Sequence, residues 1–334
     1  MTSDIQLTVL TDPVMDVRRA LPITARALAR RVRNLMHPPP PYFSTYYRGH
    51  FAVTRSLVEG LQKIGAPANY NPRSVRGVGP NVIVLSGLNT LAQAVELRRK
   101  GRIRRLLAGP NILEFPSDHP DLIGAAEVDV CITPAPPTAR LYEKDLPRLA
   151  GRVRPWPAGV DTEYWSPHGE RSDRTVLIFL KENKGPVGPI DPYVEFIERK
   201  GYHVEVIRYG SYLPADYREH LRRCAMMVGF VTEESQGIAW TEAWSTDVPT
   251  LLWNQRTATF NHPRFRGVPF PTTTSPYLTR DTGLFFFSYD EFEGVFAQWE
   301  RERSSFRPRQ WVLENMSDEV CARLLCDIAG VSHG

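Results

Sequence analysis

The chain is poor in cysteine, lacks any long apolar run and contains no Asp-x-Asp pair, and each lack removes a class of protein. Four cysteines stand among 334 residues: Cys131, Cys224, Cys321 and Cys326. Their spacing fits neither a zinc site nor a disulfide framework, which suits a reducing compartment. The longer apolar stretches, such as Cys224 to Val231, fall far short of the ~18 residues of a membrane span. Asp4, Asp12 and Pro13 interrupt the N-terminus, so it does not read as a signal peptide. No H-x-x-x-H pair or Cys/His cluster offers metal ligands, and the missing Asp-x-Asp removes a common carboxylate site for a divalent ion. The 29 prolines outnumber the 23 glycines but gather in loops, at Pro38 to Pro41 and Pro134 to Pro137, and in no repeat. The expectation is a cytoplasmic protein without metal or cofactor.

What is present is an ordinary globular balance, 42% hydrophobic and 23% charged. The length suggests two domains. The net charge of +4 hides an asymmetry. Residues 1–155 hold 22 Lys+Arg against 12 Asp+Glu, whereas residues 156–334 hold 19 against 25. Halves of opposite sign attract across a cleft, and the basic half draws anionic partners. Aromatic residues are not interleaved with the basic ones as an RNA-binding surface requires, so nucleic acid is not expected.

Short apolar strands alternate with helical segments. Ile5 to Leu10, Asn81 to Leu85, Arg105 to Ala108 and Val128 to Thr133 read as strands. Leu21 to Met36, Phe51 to Ile64, Thr90 to Lys100 and Thr138 to Lys144 read as helices. Leu21 to Met36 sets Leu21, Leu28, Val32 and Leu35 opposite Arg26, Arg30 and Arg33, which fits a surface helix or a basic face lying on anionic lipid. After Pro155-Trp156-Pro157-Ala158-Gly159 the alternation restarts. Thr175 to Leu180, His203 to Arg208, Met226 to Val231 and Thr250 to Trp253 are strands; Pro192 to Lys200, Tyr217 to Cys224 and Ile238 to Ser245 are helices. The segment Pro308 to Ala329 ends in a helix. Such alternation predicts parallel, doubly wound sheets, with ligands outside the carboxyl ends of the strands.

The most informative stretch is Glu233-Glu234-Ser235-Gln236-Gly237-Ile238-Ala239-Trp240-Thr241-Glu242-Ala243, between a strand and a helix. Gly237 allows close approach of the backbone to a ligand. The helix start offers unpaired N–H groups and partial positive charge to a phosphate. Glu242, one turn further in, is able to accept hydrogen bonds from vicinal hydroxyls such as those of a ribose.

This frame, with Val248-Pro249 before the next strand, resembles the signature of retaining GT-B glycosyltransferases of the family 4 type. Ala158-Gly159-Val160-Asp161-Thr162 with Trp165-Ser166-Pro167 resembles the segment by which those enzymes pass into their C-terminal domain. The resemblance covers about residues 156–255. It implies two Rossmann-like domains facing across a cleft. Residues 1–155 would take the acceptor and 156–315 the nucleotide sugar, with 316–334 a helix packing back on the first domain.

It further implies that Glu242 binds the donor ribose and that Glu234 holds the donor sugar as a catalytic group. Ser235 and the backbone from Gln236 through Gly237 and Ile238 to Ala239 would touch sugar and phosphate. Lys181 and Lys184 would neutralise the diphosphate, and Tyr209 and Gly210 would form the base-binding turn. His119 is the candidate histidine approaching the donor sugar from the first domain, with His50 and Asn111 as candidate acceptor contacts; His203 and His262 read as structural. The implied reaction is metal-independent transfer with retention, through an oxocarbenium-like state. The donor would be of UDP or GDP type, and the acceptor a saccharide or a lipid-linked one, with a peripheral contact to the inner membrane face. Two other readings stay open: a nucleotide-sugar epimerase of the same architecture, and a non-catalytic nucleotide-sugar-binding protein.

Overall fold

The computed structural model describes residues 6–12, 49–169, 172–181 and 189–332. The helix expected over Leu21 to Met36, and Lys184, lie outside the described residues. No helix among the described residues is long and apolar enough to cross a membrane.

The first sheet comprises β1 (Leu7–Leu10), β2 (Ala68–Tyr70), β3 (Asn81–Ser86), β4 (Arg105–Asn111), β5 (Val130–Thr133) and β6 (Val153–Pro155). Their order is β2-β1-β3-β4-β5-β6, and every pair is parallel. Parallel neighbours need crossovers, and here helices supply most of them. They are α1 (Gly49–Lys63), α2 (Leu88–Arg99), the single turn α3 (Pro120–Ile123) and α4 (Pro136–Asp145). Alternation along a strand feeds two cores. Ile83 and Leu85 pack with Val53, Leu57 and Leu61 of α1. Val82 and Val84 pack on the opposite face with Leu91, Ala94 and Val95 of α2.

The second sheet is also wholly parallel, in the order β13-β10-β9-β7-β8. Its strands are β7 (Thr175–Leu180), β8 (His203–Arg208), β9 (Met226–Phe230), β10 (Thr250–Trp253) and β13 (Gly283–Phe286). One face carries α6 (Pro214–Arg223) and α7 (Ile238–Ser245), where Leu177 and Phe179 meet Tyr217, Trp240 and Trp244. The other carries α5 (Asp191–Arg199) and α8 (Tyr289–Glu302), where Val176 and Ile178 meet Phe196, Phe292 and Trp299. Both domains therefore have the doubly wound form that the alternation predicts.

Some boundaries move. β4 runs on to Asn111 because Asn111 pairs with Ser86 beyond a bulge. α6 begins at Pro214, where proline suits the first turn and the Asp216 carboxylate accepts from the Leu213 N–H at 3.0 Å. Between β10 and β13 the chain makes an antiparallel pair, β11 (Thr257–Thr259) and β12 (Pro269–Pro271). Phe265 and Phe270 from this excursion pack on Phe115 and Leu141 of the first domain.

The domains also meet at a seam. Helices α9 (Pro308–Asn315) and α10 (Asp318–Ala329) close the chain, and Ala322, Leu325 and Cys326 of α10 enter the core of the first domain beside α1. The contact is close because Gly60 of α1 has no side chain: a Cβ there would lie 2.4 Å from the Asp318 carbonyl oxygen. Asp318, fully buried, accepts from both terminal nitrogens of Arg55 at 2.7 and 3.1 Å. The crossing segment lies over this pair. The Gly159 N–H donates to Ser56 Oγ at 2.6 Å, and the Trp156 indole N–H to the Cys321 carbonyl at 2.8 Å.

Candidate functional site

In the second sheet the strand order reverses at β7, whose neighbours are β8 and β9. Connections leave such a point in opposite directions and open a crevice at the carboxyl ends. Lys181 is the first residue after β7, and its N–H donates to the Phe230 carbonyl at the end of β9 at 3.0 Å. Glu234 lies four residues past β9, with its own N–H donating to the Thr273 carbonyl at 3.2 Å. Their backbones are thus fixed, and their side chains, both mostly buried, form an ion pair. The Lys181 ammonium also lies 4.7 Å from the centroid of the Tyr209 ring, at the end of β8, a cation–π distance.

Gly237 starts α7 in the left-handed region, at φ +84°. A Cβ there would lie 2.2 Å from Cδ1 of Trp240, so glycine is required by both backbone and space. Trp240 is held in turn by its indole N–H, which donates to the Thr274 carbonyl at 2.9 Å. The result is a rigid helix start whose first N–H groups have no preceding helical carbonyls. Glu242, 6% exposed, lies one turn further in. The phenols of Tyr212 and Tyr217 around it are pushed up, mainly by burial and further by the Glu242 charge. Tyr217 stays a proton donor, to the Ala239 carbonyl at 2.7 Å.

These groups line a cavity of about 280 Å³. Lys181, Tyr209, Glu234, Ser235, Gln236, Gly237, Ile238, Ala239 and Glu242 all border it. The facing wall comes from the first domain: Gly49 and His50 at the start of α1, Asn111 at the end of β4 and Pro134 after β5. A second cavity of about 430 Å³ adjoins it and shares His50, Asn111, Pro134, Glu234 and Ser235. The side-chain nitrogen of Asn111 is buried and has no hydrogen-bond partner among the described residues. A buried donor left so is costly, and this one borders both cavities.

Two expected residues stand apart. His119 is exposed and lines neither cavity. It joins a 3₁₀ turn led by Pro116 to the turn α3 led by Pro120, and its backbone carbonyl accepts from Leu122 and Ile123. Two proline-led turns fix this loop by its backbone and leave the imidazole outside. Gly210 is an exposed turn residue at φ +85° with nothing around its absent Cβ. Lys184 lies outside the described residues. Gln236 borders the cavity, but its side chain is turned to the seam: its oxygen accepts from the Ala158 N–H at 2.9 Å and its nitrogen donates to the Ala158 carbonyl at 2.7 Å. His262, read as structural, stacks on Phe115 at 4.1 Å between centroids and approaches Asp118 at 3.3 Å.

Tyr212, Trp165 and Pro214 border the smaller cavity and were not among the expected site residues. Tyr212 lies in Ser211-Tyr212-Leu213-Pro214, the loop after β8. Its place beyond a strand's carboxyl end was the available signal.

No protein-family model matches the chain, and no curated protein sequence matches it. Solved structures do. Sucrose-phosphate synthase from Thermosynechococcus elongatus aligns over 97% of this chain and 98% of its own, with 12% identity and a TM-score of 0.55. A glycosyltransferase from Rickettsia africae ESF-5 aligns over 97% of each chain, with 8% identity and a TM-score of 0.54. TarM aligns over 74% of this chain and 54% of its own, with 11% identity and a TM-score of 0.49, so this chain spans about half of that protein. Together with the two facing parallel-sheet domains, the two full-length likenesses establish the fold as the GT-B arrangement.

Proposed function

We propose that this protein transfers a sugar from a nucleotide-diphosphate sugar to a hydroxyl of a second molecule, with retention of configuration and without a divalent metal. The observation that carries the reading is the junction of two cavities at Glu234, one beneath a helix start and one between the domains. A donor in the smaller cavity sets its ribose hydroxyls on Glu242. Its diphosphate lies at the start of α7 beside Lys181, and its sugar lies at Glu234. Two adjoining cavities suit a reaction of two substrates; an epimerase needs one. The fold, whose structural neighbours include a glycosyltransferase and a sucrose-phosphate synthase, supports the same reading.

The acceptor oxygen forms a bond to the anomeric carbon as the bond from that carbon to the diphosphate oxygen breaks. Both events take place on one face of the sugar, and the hydroxyl proton leaves with the diphosphate. Negative charge grows on the leaving oxygen, where Lys181 and the helix N–H groups are already placed; preorganised charge of this kind is the main electrostatic lever on such a barrier. Retention follows from the resemblance of the Glu234 to Glu242 frame to retaining enzymes. The first domain takes the acceptor in this scheme, and the second takes the donor.

A thermal-shift and calorimetric series with UDP, GDP and their sugars tests the reading. A donor at 100 times its Kd stabilises the fold by about 2.7 kcal/mol. Absence of heat and of any shift with every nucleoside diphosphate overturns it. The anomeric configuration of the product, read by NMR, tests retention separately.

A further inference from the structure

The larger cavity changes character along its length. At its inner end it is polar, where Asn111, Ser235 and Glu234 border both cavities. Away from that end the wall consists of Leu113, Leu141 and Tyr142 from the first domain and Phe260 and Phe270 from the β11–β12 excursion. Pro110, Pro137 and Pro271 also border it, with Ile112, Thr138 and Thr272. The aromatic part is set by packing across the domains: Phe260 meets Phe115 edge-on at 5.5 Å and Phe270 at 6.1 Å.

The charge of this wall opposes that of the half-chain that builds most of it. Its charged side chains are Glu114, Glu233 and Glu234, the last ion-paired with Lys181, apart from the titratable His50, and no Lys or Arg is among the described lining residues. Lys144 lies over the Phe270 ring, 5.2 Å from its centroid, but does not line the cavity. A phosphate or carboxylate brought here loses water against an apolar wall and meets acids in place of cations. A neutral ring gains by the same burial.

We infer that the acceptor is a neutral molecule that presents a hydroxyl at Glu234 and buries an aromatic or alicyclic body against the half-buried Leu113 and Phe260, and that anionic acceptors bind less well. The inference rests on the smaller cavity being the donor site, since that fixes which end of the larger one faces the reacting carbon. It departs from the anionic acceptor that the basic half-chain alone suggests.

Calorimetry on the full chain tests it with three probes: 4-nitrophenyl β-D-glucopyranoside, methyl β-D-glucopyranoside and glucose 6-phosphate. UDP and GDP are titrated into the same protein. The nitrophenyl glucoside binds at least about tenfold more tightly than the methyl glucoside, from the added apolar burial. The phosphate binds more weakly than either. Phe260→Ala removes most of the nitrophenyl advantage while nucleotide affinity holds. Glu114→Lys, an exposed site, narrows the penalty on the phosphate. Equal binding of the two glucosides, tightest binding of the phosphate, or no binding of the nitrophenyl glucoside overturns the inference, and retained UDP or GDP binding then leaves the donor reading standing. Silence toward both nucleotides with the nitrophenyl preference intact sinks the donor reading alone.

Discussion

Lys181 and Glu234 are ion-paired across the point where the second sheet reverses its strand order, one residue beyond β7 and four beyond β9. The cation proposed to meet the diphosphate is thus held by the acid proposed to meet the sugar. Donor binding has to divide that pair between two parts of one ligand.

A sign prediction follows for Glu234→Gln. Removing the acid's charge releases Lys181, so UDP or GDP binds at least as tightly as before while turnover falls. Lys181→Met loses on both counts, with turnover down about 10²-fold or more, the scale for one lost transition-state donor. Calorimetry and steady-state kinetics on both variants check this; wild-type turnover in Glu234→Gln rejects the assignment.

Glu242 is expected to act on the ribose alone. Glu242→Ala weakens nucleoside diphosphate binding by about tenfold or more, as hydrogen bonds to a charged group contribute about 1.5–3 kcal/mol. A 2′,3′-dideoxy nucleotide has already lost the same contact, so its affinity changes little between wild type and variant. A full additional loss with the dideoxy compound moves Glu242 away from the ribose.

Gly237→Ala meets two obstacles, the left-handed φ of +84° and the ring of Trp240. The backbone part alone costs about 1–3 kcal/mol. Urea unfolding detects the loss, and nucleotide affinity falls with it because the helix start shifts. Gly210→Ala, at an open position with a similar φ, carries the backbone cost without the clash and keeps nucleotide affinity.

At the seam, Asp318→Ala removes one acid from the buried Arg55 and leaves Glu59 beside it at 2.8 Å. Breaking a buried pair from one side costs about 3–5 kcal/mol; the lower figure applies because Glu59 remains. Lys63 reports on the same place. Burial alone would lower its pKa, but Asp318, Asp161 and Glu319 more than reverse this, and the net shift is upward from 10.5. The folded state thus holds the Lys63 proton more tightly than the unfolded state. The stabilisation is complete below the unfolded value and fades as pH rises through the folded one. Lys63→Met flattens that part of the alkaline fall in unfolding free energy; an unchanged slope refutes the linkage.

Much of this architecture is legible from residue order. TVLIFL, HVEVIR and TLLW are apolar or alternating runs set between turn residues, and β7, β8 and β10 occupy those same spans. β2 (Ala-Asn-Tyr) and β6 (Val-Arg-Pro) are not legible, because three residues show no period and their pairing comes from neighbouring strands. α8 had a readable start. Ser288 caps it by accepting from the Glu291 N–H at 3.2 Å, and the Glu291 carboxylate accepts from the Phe287 N–H at 3.0 Å. The cluster around Glu234 was legible because close-packed helix starts demand glycine and fixed spacing. His119 shows the opposite: which way a loop side chain points is set by the turns that carry it, and residue type does not report that.

The bridge between Val160 and Ser317 has a topological consequence. The Val160 N–H donates to the Met316 carbonyl at 3.0 Å and the Asp318 N–H to the Val160 carbonyl at 3.2 Å, so the polypeptide enters and leaves the second lobe through one neck. That lobe is an insertion, with its two ends already side by side. A swing about the neck has to part or slide Phe265 and Phe270 over Phe115 and Leu141, while the helix after the neck stays in the core of the first domain.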